Sequence, residues 1–316
     1  MSVPKPFPRR ALVAGAGGFL GGAIVRGLTD AGWNVRGLVR SAPGARRVED
    51  AGGFPVSGDV LDPASVELAS RGCELIVHVA AANPYGPDGI SGAERVRAEG
   101  GRNLLRGASH AGVRRLVLGS GYWVYADQPG TITERSPLDP RGESLVNWHA
   151  EEAASDPANR GSVEVVVVRP GMVYGNGSWF RSVYDSIRAG SYRYIDEGTN
   201  AWSFVALEDA GTGFACVSEQ GVAGEVYNLV DGEPVTWKSF GDLVADHLSR
   251  RHPESLPFAD AAVAYGEDVA HHLHARRACS AEKIRALGWK PRHANVRAGL
   301  TALWPSLADS NERVTE

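Results

Sequence analysis

Three glycines, Gly15, Gly18 and Gly21, form a G-x-x-G-x-x-G pattern between an apolar run and an apolar-faced helical stretch. Glycines at this spacing let the backbone turn tightly and approach a pyrophosphate. The N–H groups and positive dipole end of the following helix stabilise its negative charge. Spacing alone is weak evidence in a glycine-rich chain. The strand before, the helix after and a βαβ frame of about 30 residues together predict a dinucleotide site.

The segment after the second predicted strand bears on which dinucleotide binds. Residues 34–39 end without the acidic side chain that would accept the ribose 2′-hydroxyl of NAD, and Arg40 follows. A guanidinium pairs with a 2′-phosphate through charge-assisted hydrogen bonds, whereas an acid would repel it. NADP is therefore the predicted cofactor, with NAD as the alternative. Arg46 and Arg47 fit a solvated basic turn equally well.

The elements that position these residues follow from the alternation of apolar strand-length runs with helix-length amphipathic stretches. This alternation is typical of βαβ units and a parallel sheet. Strands are predicted near 10–15, 34–39, 54–57, 74–80, 114–119 and 163–169. Helices are predicted at 19–31, 63–70, 90–112, 143–155, 237–251 and 280–287.

The predicted fold class is α/β, a Rossmann-type doubly wound parallel sheet with a smaller C-terminal substrate lobe. Residues 10–175 are expected to form the NAD(P)-binding domain, to which segments at about 195–235 can return. Residues 176–307 are expected to form mainly the substrate-binding lobe. The polar stretch 308–316 is expected to be a disordered tail.

Composition excludes several classes of protein. Lys plus Arg total 33 against 37 for Asp plus Glu, and no long basic stripe occurs, so nucleic acid is not an expected partner. The three cysteines form no Cys-x-x-Cys pair, which argues against disulfides and structural zinc. No apolar run reaches membrane-spanning length and no signal peptide is evident, so a cytoplasmic protein without membrane contact is expected.

The chain resembles the extended short-chain dehydrogenase/reductase family, which holds sugar-nucleotide epimerases, dehydratases and related ketoreductases. The resemblance covers roughly residues 10–300. It rests on the glycine pattern and on Asp59-Val60, His78 to Ala81, Asn103-Leu-Leu, Val124-Tyr125, Arg169 to Gly175, Trp202 to Asp209 and Leu287 to Pro291. The residues that would contact the cofactor are Gly15, Gly18, Phe19, Leu20, Gly21, Arg40, Asp59, Val60, Ala80, Ala81, Ser120, Pro170 and Val173.

The family's catalytic group is a Ser or Thr after the fifth strand and a Tyr-x-x-x-Lys pair on the next helix. Tyr exchanges a proton with the substrate, and Lys binds the nicotinamide ribose and acidifies the phenol. This chain has no tyrosine followed four residues later by lysine, and no lysine between residues 6 and 237. The resemblance places Gly121, Glu143 and Asn147 at the Ser/Thr, Tyr and Lys positions. The standard proton relay is therefore not expected.

Four residues are candidates for the missing chemistry. Tyr122 follows Gly121, and its phenol is expected to point into the cleft. Glu143 is titratable, and Asn147 could keep a hydrogen bond to the ribose. His149 is the weaker candidate, because it lies six residues from Glu143 and not on the same helix face. Alternatively, Tyr122 walls an apolar pocket and Glu143 is a helix-start carboxylate stabilised by the dipole.

The tract His271-His272-Leu-His274-Ala-Arg276-Arg277 has no cysteine or carboxylate spaced to complete a metal site, so no metal is predicted. In the family this region reaches over the substrate, so Arg276 or a histidine is expected to contact an anionic substrate group. The resemblance also implies a homodimer, through helices 90–112 and 143–155.

Three functions remain open. The first is an NADP-dependent oxidoreductase, a ketoreductase acting on a small or mid-sized metabolite with a non-standard proton donor. The second is a non-redox isomerase, dehydratase or cyclase that keeps the dinucleotide as a scaffold. The third is a non-catalytic dinucleotide sensor, which the presence of a full substrate lobe disfavours, since fold alone does not determine chemistry.

Overall fold

The computed structural model describes residues 9–83 and 86–312. Its strands are β1 (Arg10–Ala14), β2 (Asn34–Val39), β3 (Phe54–Ser57), β4 (Leu75–His78), β5 (Arg115–Gly119), β6 (Glu164–Pro170), β7 (Met172–Tyr174), β8 (Arg193–Ile195), β9 (Ala201–Trp202), β10 (Phe204–Ala206), β11 (Val226–Leu229), β12 (Val235–Thr236) and β13 (Glu254–Leu256).

Fourteen α-helices lie in the described part of the chain. They are α1 (Phe19–Asp30), α2 (Ala42–Asp50), α3 (Pro63–Ser70), α4 (Gly89–Glu94), α5 (Gly100–Ala111), α6 (Ser144–Ser155), α7 (Pro157–Arg160), α8 (Ser178–Ala189), α9 (Leu207–Gln220), α10 (Trp237–His247), α11 (Phe258–Tyr265), α12 (Glu267–His274), α13 (Glu282–Ala286) and α14 (Val296–Glu312). A π-helical segment, Arg95–Glu99, joins α4 to α5, and a 3₁₀ turn covers Tyr122–Val124.

One seven-stranded parallel sheet organises the molecule, in the order β11-β6-β5-β4-β1-β2-β3. All six predicted strands belong to it, and the predicted doubly wound α/β fold class is confirmed. The order reverses between β1 and β4, so a crevice opens there at the carboxyl ends of the strands. The seventh strand, β11, comes from much later in the chain. It lies within the segment 195–235, for which a return to the nucleotide-binding domain was predicted.

Apolar side chains of the sheet fill two cores, one on each face. Val13, Val77 and Val117 belong to the core that also contains α1 residues such as Ile24 and Leu28. The adjacent residues of the same strands, Leu12, Ile76 and Leu116, belong to the second core together with residues of α3 and α5. Because side chains alternate across a strand, the nearly continuous apolar runs of the sequence serve both faces.

A third core consists of aromatic side chains from the second half of the chain. Trp202, Phe204 and Phe240 are fully buried there, and the Phe204 and Phe240 rings stack with centroids 4.9 Å apart. Helix α14 packs against this core through Val296 and Leu300. The backbone of α14 continues to Glu312, within the stretch 308–316 for which a disordered tail is expected. Residues 313–316 of that expectation lie outside the described residues.

The predicted helix 90–112 is divided by the π-helical segment, and helix α2 was missed. Helix α2 carries Pro43 and Gly44 in its first turn and two arginines on its surface, and it buries only Gly44 and Val48, so it has few apolar residues that would indicate a helix. The Ser41 side chain accepts a hydrogen bond from the Gly44 amide, 3.3 Å, and caps this helix. Within residues 9–83 and 86–312, no helix combines the length and apolar character needed to cross a membrane.

Candidate active site

A cavity of about 420 Å³ lies at the carboxyl ends of β1 to β4. Predicted cofactor residues that line it are Gly15, Gly18, Phe19, Leu20, Gly21, Arg40, Asp59, Val60, Ala80 and Ala81. They come from the turn after β1, from the ends of β2 and β3, and from the segment after β4. The structure therefore brings these sequence-distant residues to one crevice.

The close packing of the glycine turn requires residues without a side chain at Gly15 and Gly21. Gly15 has a φ of 92°, and a Cβ there would lie 2.6 Å from the backbone nitrogen of Ala80. A Cβ on Gly21 would overlap the carbonyl oxygen of Gly15, because α1 starts directly against the end of β1. No side chain caps α1 at Gly18. The first-turn amides are thus left for a ligand, and this cradle fits a pyrophosphate.

Basic side chains form one rim of the same cavity. Arg40 is exposed, 66% for its side chain, and its Nη1 lies 3.5 Å from Asp59 Oδ2. Arg47 also lines the cavity, and its Nε donates to the carbonyl oxygen of Gly17 at 2.6 Å. Arg46 is exposed and does not line the cavity. The first turn of α2 and two guanidinium groups therefore lie beside the end of β2.

Three of the predicted cofactor residues do not line this cavity. The Ser120 hydroxyl donates to Glu151 instead, and Pro170 is buried where β6 pairs with β11. Val173 lies in β7, and its carbonyl oxygen accepts a hydrogen bond from Trp179 at 2.7 Å. Each has a partner within the protein, and their contact with the cofactor stays a prediction.

Gly121 and Asn147, which the resemblance assigns to the family's Ser/Thr and Lys positions, are neighbours in space. A Cβ on Gly121 would lie 3.1 Å from Asn147 Nδ2. Asn147 in turn accepts a hydrogen bond from Arg97, with Nη2 2.8 Å from Oδ1. Arg97 also donates to the carbonyl oxygen of Gly119 at the end of β5. A guanidinium from the π-helical segment therefore lies directly beside Asn147.

Arg97 was not predicted from the sequence, because an arginine in a polar helical stretch is normally a surface residue. It is only 5% exposed. Burial lowers its pKa to about 10, while the nearby Glu151 carboxylate acts in the opposite direction, so the group stays charged at neutral pH. The side chain of His78 anchors the same segment, with Nε2 3.0 Å from the Arg97 carbonyl oxygen. Burial, followed by the Arg97 charge, lowers the pKa of His78 to about 3, so its ring is neutral.

A buried ion pair lies next to this group. Arg169 Nη2 and Glu151 Oε2 are 2.6 Å apart, and Arg169 Nε donates to Glu151 Oε1 at 3.0 Å. The two side chains are 4% and 5% exposed. The guanidinium also lies over the Tyr125 ring, 4.7 Å from its centroid. This pair joins β6 to α6, the helix that carries Glu143 at its start and Asn147 in its first half.

Tyr122 lines neither the cavity at the glycine turn nor the second cavity, which is described below. Its side chain is fully buried and packs against Trp123, with ring centroids 4.5 Å apart. Within the described residues its hydroxyl has no hydrogen-bond partner, and burial raises its pKa well above the ordinary value. The expected cleft position of this phenol is therefore corrected to a core position, because the 3₁₀ turn Tyr122–Val124 directs it into the core.

Glu143 and His149 lie on different sides of α6. Glu143 is half-buried at the start of the helix, and burial raises the pKa of its carboxyl group. His149 lies on the outer surface, where its Nδ1 is 3.0 Å from Glu94 Oε1. The structure thus separates them, as their spacing predicted. His149 is removed from the cleft, whereas Glu143 directly precedes Ser144, which lines a second cavity.

This second cavity, of about 210 Å³, lies beyond the end of β5. It is lined by Trp123, Asp127, Asp139, Arg141, Ser144, Asp268, His271, His272, His274, Ala275 and Arg277. Arg276 turns away from it and pairs with Asp127, with 2.9 Å between Nε and Oδ1. In the described part of the chain, no three His, Cys, Asp or Glu side chains are grouped so that they could hold a metal ion.

Comparison with known proteins identifies the family. Residues 11–229 match the profile of the NAD dependent epimerase/dehydratase family. The chain belongs to this family. It is an NAD(P)-dependent oxidoreductase of the extended short-chain dehydrogenase/reductase type, as the sequence motifs predicted.

The relatives of this chain include several proteins named reductases, of which two are described here. A 3-diazoavenalumate denitrifying reductase from Streptomyces sp is 32% identical over 92% of this chain and 99% of the relative. A 4-hydroxy-2-methyl-3-oxo-4-farnesyl-3,4-dihydroquinoline-1-oxide ketoreductase from Stigmatella aurantiaca is 30% identical over 82% of this chain and 80% of the relative.

Solved structures share the fold. A dTDP-glucose 4,6-dehydratase from Streptomyces venezuelae with NAD bound has a TM-score of 0.78 and 25% identity over 93% of this chain and 95% of its own. A human epimerase family protein with NADPH has the same TM-score and 22% identity over 93% of this chain and 98% of its own. Members of this fold therefore bind either nicotinamide dinucleotide.

Proposed function

We propose that this epimerase/dehydratase-family protein is an NADP-dependent reductase that acts on a carbonyl group of a small or mid-sized metabolite without the Tyr–Lys proton relay. The observation that carries the proposal is the glycine cradle with a basic rim at one end. Gly15 and Gly21 fit the pyrophosphate, and Arg40 and Arg47 fit a 2′-phosphate beside the N-terminus of α2. When bound, the dinucleotide supplies the hydride.

Removing the two rim arginines should weaken NADPH binding selectively. We expect the Arg40→Ala/Arg47→Ala double variant to lose about 30-fold or more in NADPH affinity, because hydrogen bonds between charged groups are about twice as strong as neutral ones. The affinity for NADH should change little, since NADH lacks the 2′-phosphate. Fluorescence titration of the reduced cofactors measures both dissociation constants.

Arg46→Ala is the matched control, because Arg46 lies on the same helix but does not line the cavity. It should keep the wild-type preference for NADPH. Tighter binding of NADH than of NADPH by the wild-type protein would refute the assigned 2′-phosphate site. If neither cofactor bound, the reductase proposal itself would fail.

Glu143 is the proposed proton donor in this reaction. It occupies the position of the family's tyrosine and is half-buried, and within the described residues its carboxylate has no hydrogen bond or ion pair. Burial raises its pKa, which increases the fraction that carries a proton to give. Asn147, held by Arg97, takes the position of the lysine and fits a hydrogen bond to the nicotinamide ribose.

Glu143→Gln should lower kcat about 100-fold, the usual contribution of a general acid. In the wild type the protonated form is the active one, so kcat should fall as the pH rises through the raised pKa of Glu143. This decline should vanish in the variant. Oxidation of NADPH with an accepted ketone measures both effects. Tyr122→Phe is the control and should leave the pH profile unchanged, because the Tyr122 hydroxyl is buried in the core.

The relationship to the Streptomyces enzyme favours a second candidate reaction, reductive loss of nitrogen from a diazo compound. Hydride added to the terminal nitrogen of a diazonium ion R–N₂⁺ gives the neutral diazene R–N=NH. This species releases N₂ and leaves R–H. No alkoxide forms, so the reaction does not require the proton relay whose positions here hold Gly121, Glu143 and Asn147. Release of N₂ from a diazo substrate and NADPH that depends on the protein would distinguish this reaction from carbonyl reduction.

A further inference from the structure

The second cavity contains a buried arginine without an anionic partner. Arg277 lines the cavity and is 5% exposed. Its Nη1 donates to the backbone oxygen of Arg276 at 3.0 Å, and its Nε has no hydrogen-bond partner in residues 9–83 and 86–312. Across the same residues, no carboxylate lies within ion-pairing distance of its guanidinium.

Two of the three carboxylates that line this cavity are already paired with other arginines. Asp127 is held by Arg276 through both carboxylate oxygens, at 2.9 and 3.3 Å. Asp139 pairs with Arg141 at 2.7 Å. Each pair is neutral overall. Asp127 and Asp139 act on Arg277 only from beyond ion-pairing distance, and Asp268, the third carboxylate of the wall, forms no ion pair with it in the described residues, so Arg277 has no direct counter-ion. A buried charge without a counter-ion is costly, so a ligand anion would be bound strongly at this point.

We propose that this cavity binds the carboxylate of a small planar molecule, with Arg277 as its counter-ion. That the molecule is the substrate of the reductase rests on the proposed function, whereas the binding itself does not. The sequence led us to expect the anion contact at Arg276, but Arg276 is already paired with Asp127. The proposal therefore assigns this contact to Arg277.

The chemistry of the wall favours a carboxylate over a phosphate or a nucleotide. The volume, about 210 Å³, admits a small acid, not a nucleoside diphosphate. The acids Asp127, Asp139 and Asp268 also line the cavity, and they would repel a dianion more strongly than a monoanion. A guanidinium matches the planar fork of a carboxylate with two parallel hydrogen bonds.

Two rings beside Arg277 suit a flat ligand body. Trp123 and His272 both line the cavity, and their rings are in contact, with centroids 3.7 Å apart and planes inclined by 30°. Burial, with a contribution from Arg277, lowers the pKa of His272 to about 3, so this ring is neutral. Its N–H can therefore donate to a ligand without adding charge, while Trp123 offers apolar surface.

The position of the cavity connects the carboxylate site to the proposed chemistry. Trp123 lies two residues after Gly121, and Ser144 directly follows Glu143. A carboxylate held by Arg277 would thus direct the rest of the molecule toward the start of α6. This arrangement assigns Arg277 to substrate orientation and Glu143 to proton transfer.

Calorimetric titration of the cofactor-free protein with trans-cinnamate tests the proposal. We expect measurable binding to the wild type, and about 30-fold or more weaker binding to Arg277→Gln, since removing one partner of a buried charge pair has an effect of this size. Arg277→Lys should keep part of the affinity, because it keeps the charge. Cinnamamide, which has the same shape without the charge, should bind the wild type far more weakly.

The matched control is the Glu208→Gln/Arg292→Gln double variant, which makes the same Arg-to-Gln change in an exposed ion pair that does not line the cavity and leaves the net charge unchanged. It should bind cinnamate nearly as well as the wild type. Equal affinity for cinnamate and cinnamamide, unchanged affinity in Arg277→Gln, or stronger binding of inorganic phosphate than of cinnamate would each overturn the proposal. If Arg277→Gln fails to fold, the Arg277→Lys and cinnamamide results decide. NADPH titration, run separately, reports on the proposed function alone.

Discussion

Gly21→Ala is expected to lower the affinity for NADPH by about 100-fold or more and to destabilise the protein by about 1–3 kcal/mol. The added methyl group would overlap the carbonyl oxygen of Gly15 and approach Ala16 Cα to 2.9 Å. Both neighbours are backbone atoms of the glycine turn, so they cannot move aside as a side chain would. The start of α1 would have to shift away from β1, which would displace the amides that face the pyrophosphate.

Gly22→Ala provides the control in the next position of the same helix. A Cβ on Gly22 would lie 3.9 Å from the nearest atom, the carbonyl oxygen of Ala16, an ordinary contact distance. Since alanine is favoured over glycine in a helix by about 1 kcal/mol, this variant should be as stable as the wild type or slightly more stable. NADPH titration and urea unfolding of both variants test the pair. Wild-type NADPH affinity in Gly21→Ala would show that the dinucleotide does not bind at this turn.

The glycine turn and the sheet could be predicted from sequence because both depend on local patterns. Each strand carries its own apolar run, and Gly15, Gly18 and Gly21 are only three residues apart. Asp59 and Ala80 come to the same cavity because parallel strands end at one edge of the sheet, which a βαβ order requires. Sequence reasoning works where topology turns local patterns into spatial neighbours.

Side-chain direction could not be predicted in the same way. A π-helical segment directs Arg97 inward, and no residue pattern in the sequence predicts this change of helical register. Tyr122 lies in a 3₁₀ turn that points its ring into the core. Arg276 and Arg277 are adjacent, and only the structure distinguishes the arginine that Asp127 binds from the one that faces the cavity. Such contacts depend on partners distant in sequence.

Glu151→Gln is expected to destabilise the fold by about 3–5 kcal/mol, because it leaves Arg169 as an uncompensated buried charge. The loss is aggravated by Arg97, a second buried guanidinium that interacts with the Glu151 carboxylate. The Ser120 hydroxyl would lose its charged acceptor as well. Urea unfolding monitored by circular dichroism measures the change, and Glu208→Gln serves as the exposed control. Glu208 pairs with Arg292 in solvent at 3.0 Å, and its loss should have an effect of at most about 1 kcal/mol.

The double variant Glu151→Leu/Arg169→Met separates the effect of the charge from that of the space it fills. Removing both charges also removes the uncompensated Arg169 cation, and replacing a buried ion pair by apolar groups of similar volume is often neutral or stabilising. We therefore expect the double variant to be more stable than Glu151→Gln. If it is equally unstable, packing between β6 and α6 matters more than charge. If Glu151→Gln is as stable as the wild type, Arg169 finds another partner and the buried pair does not hold α6 against the sheet.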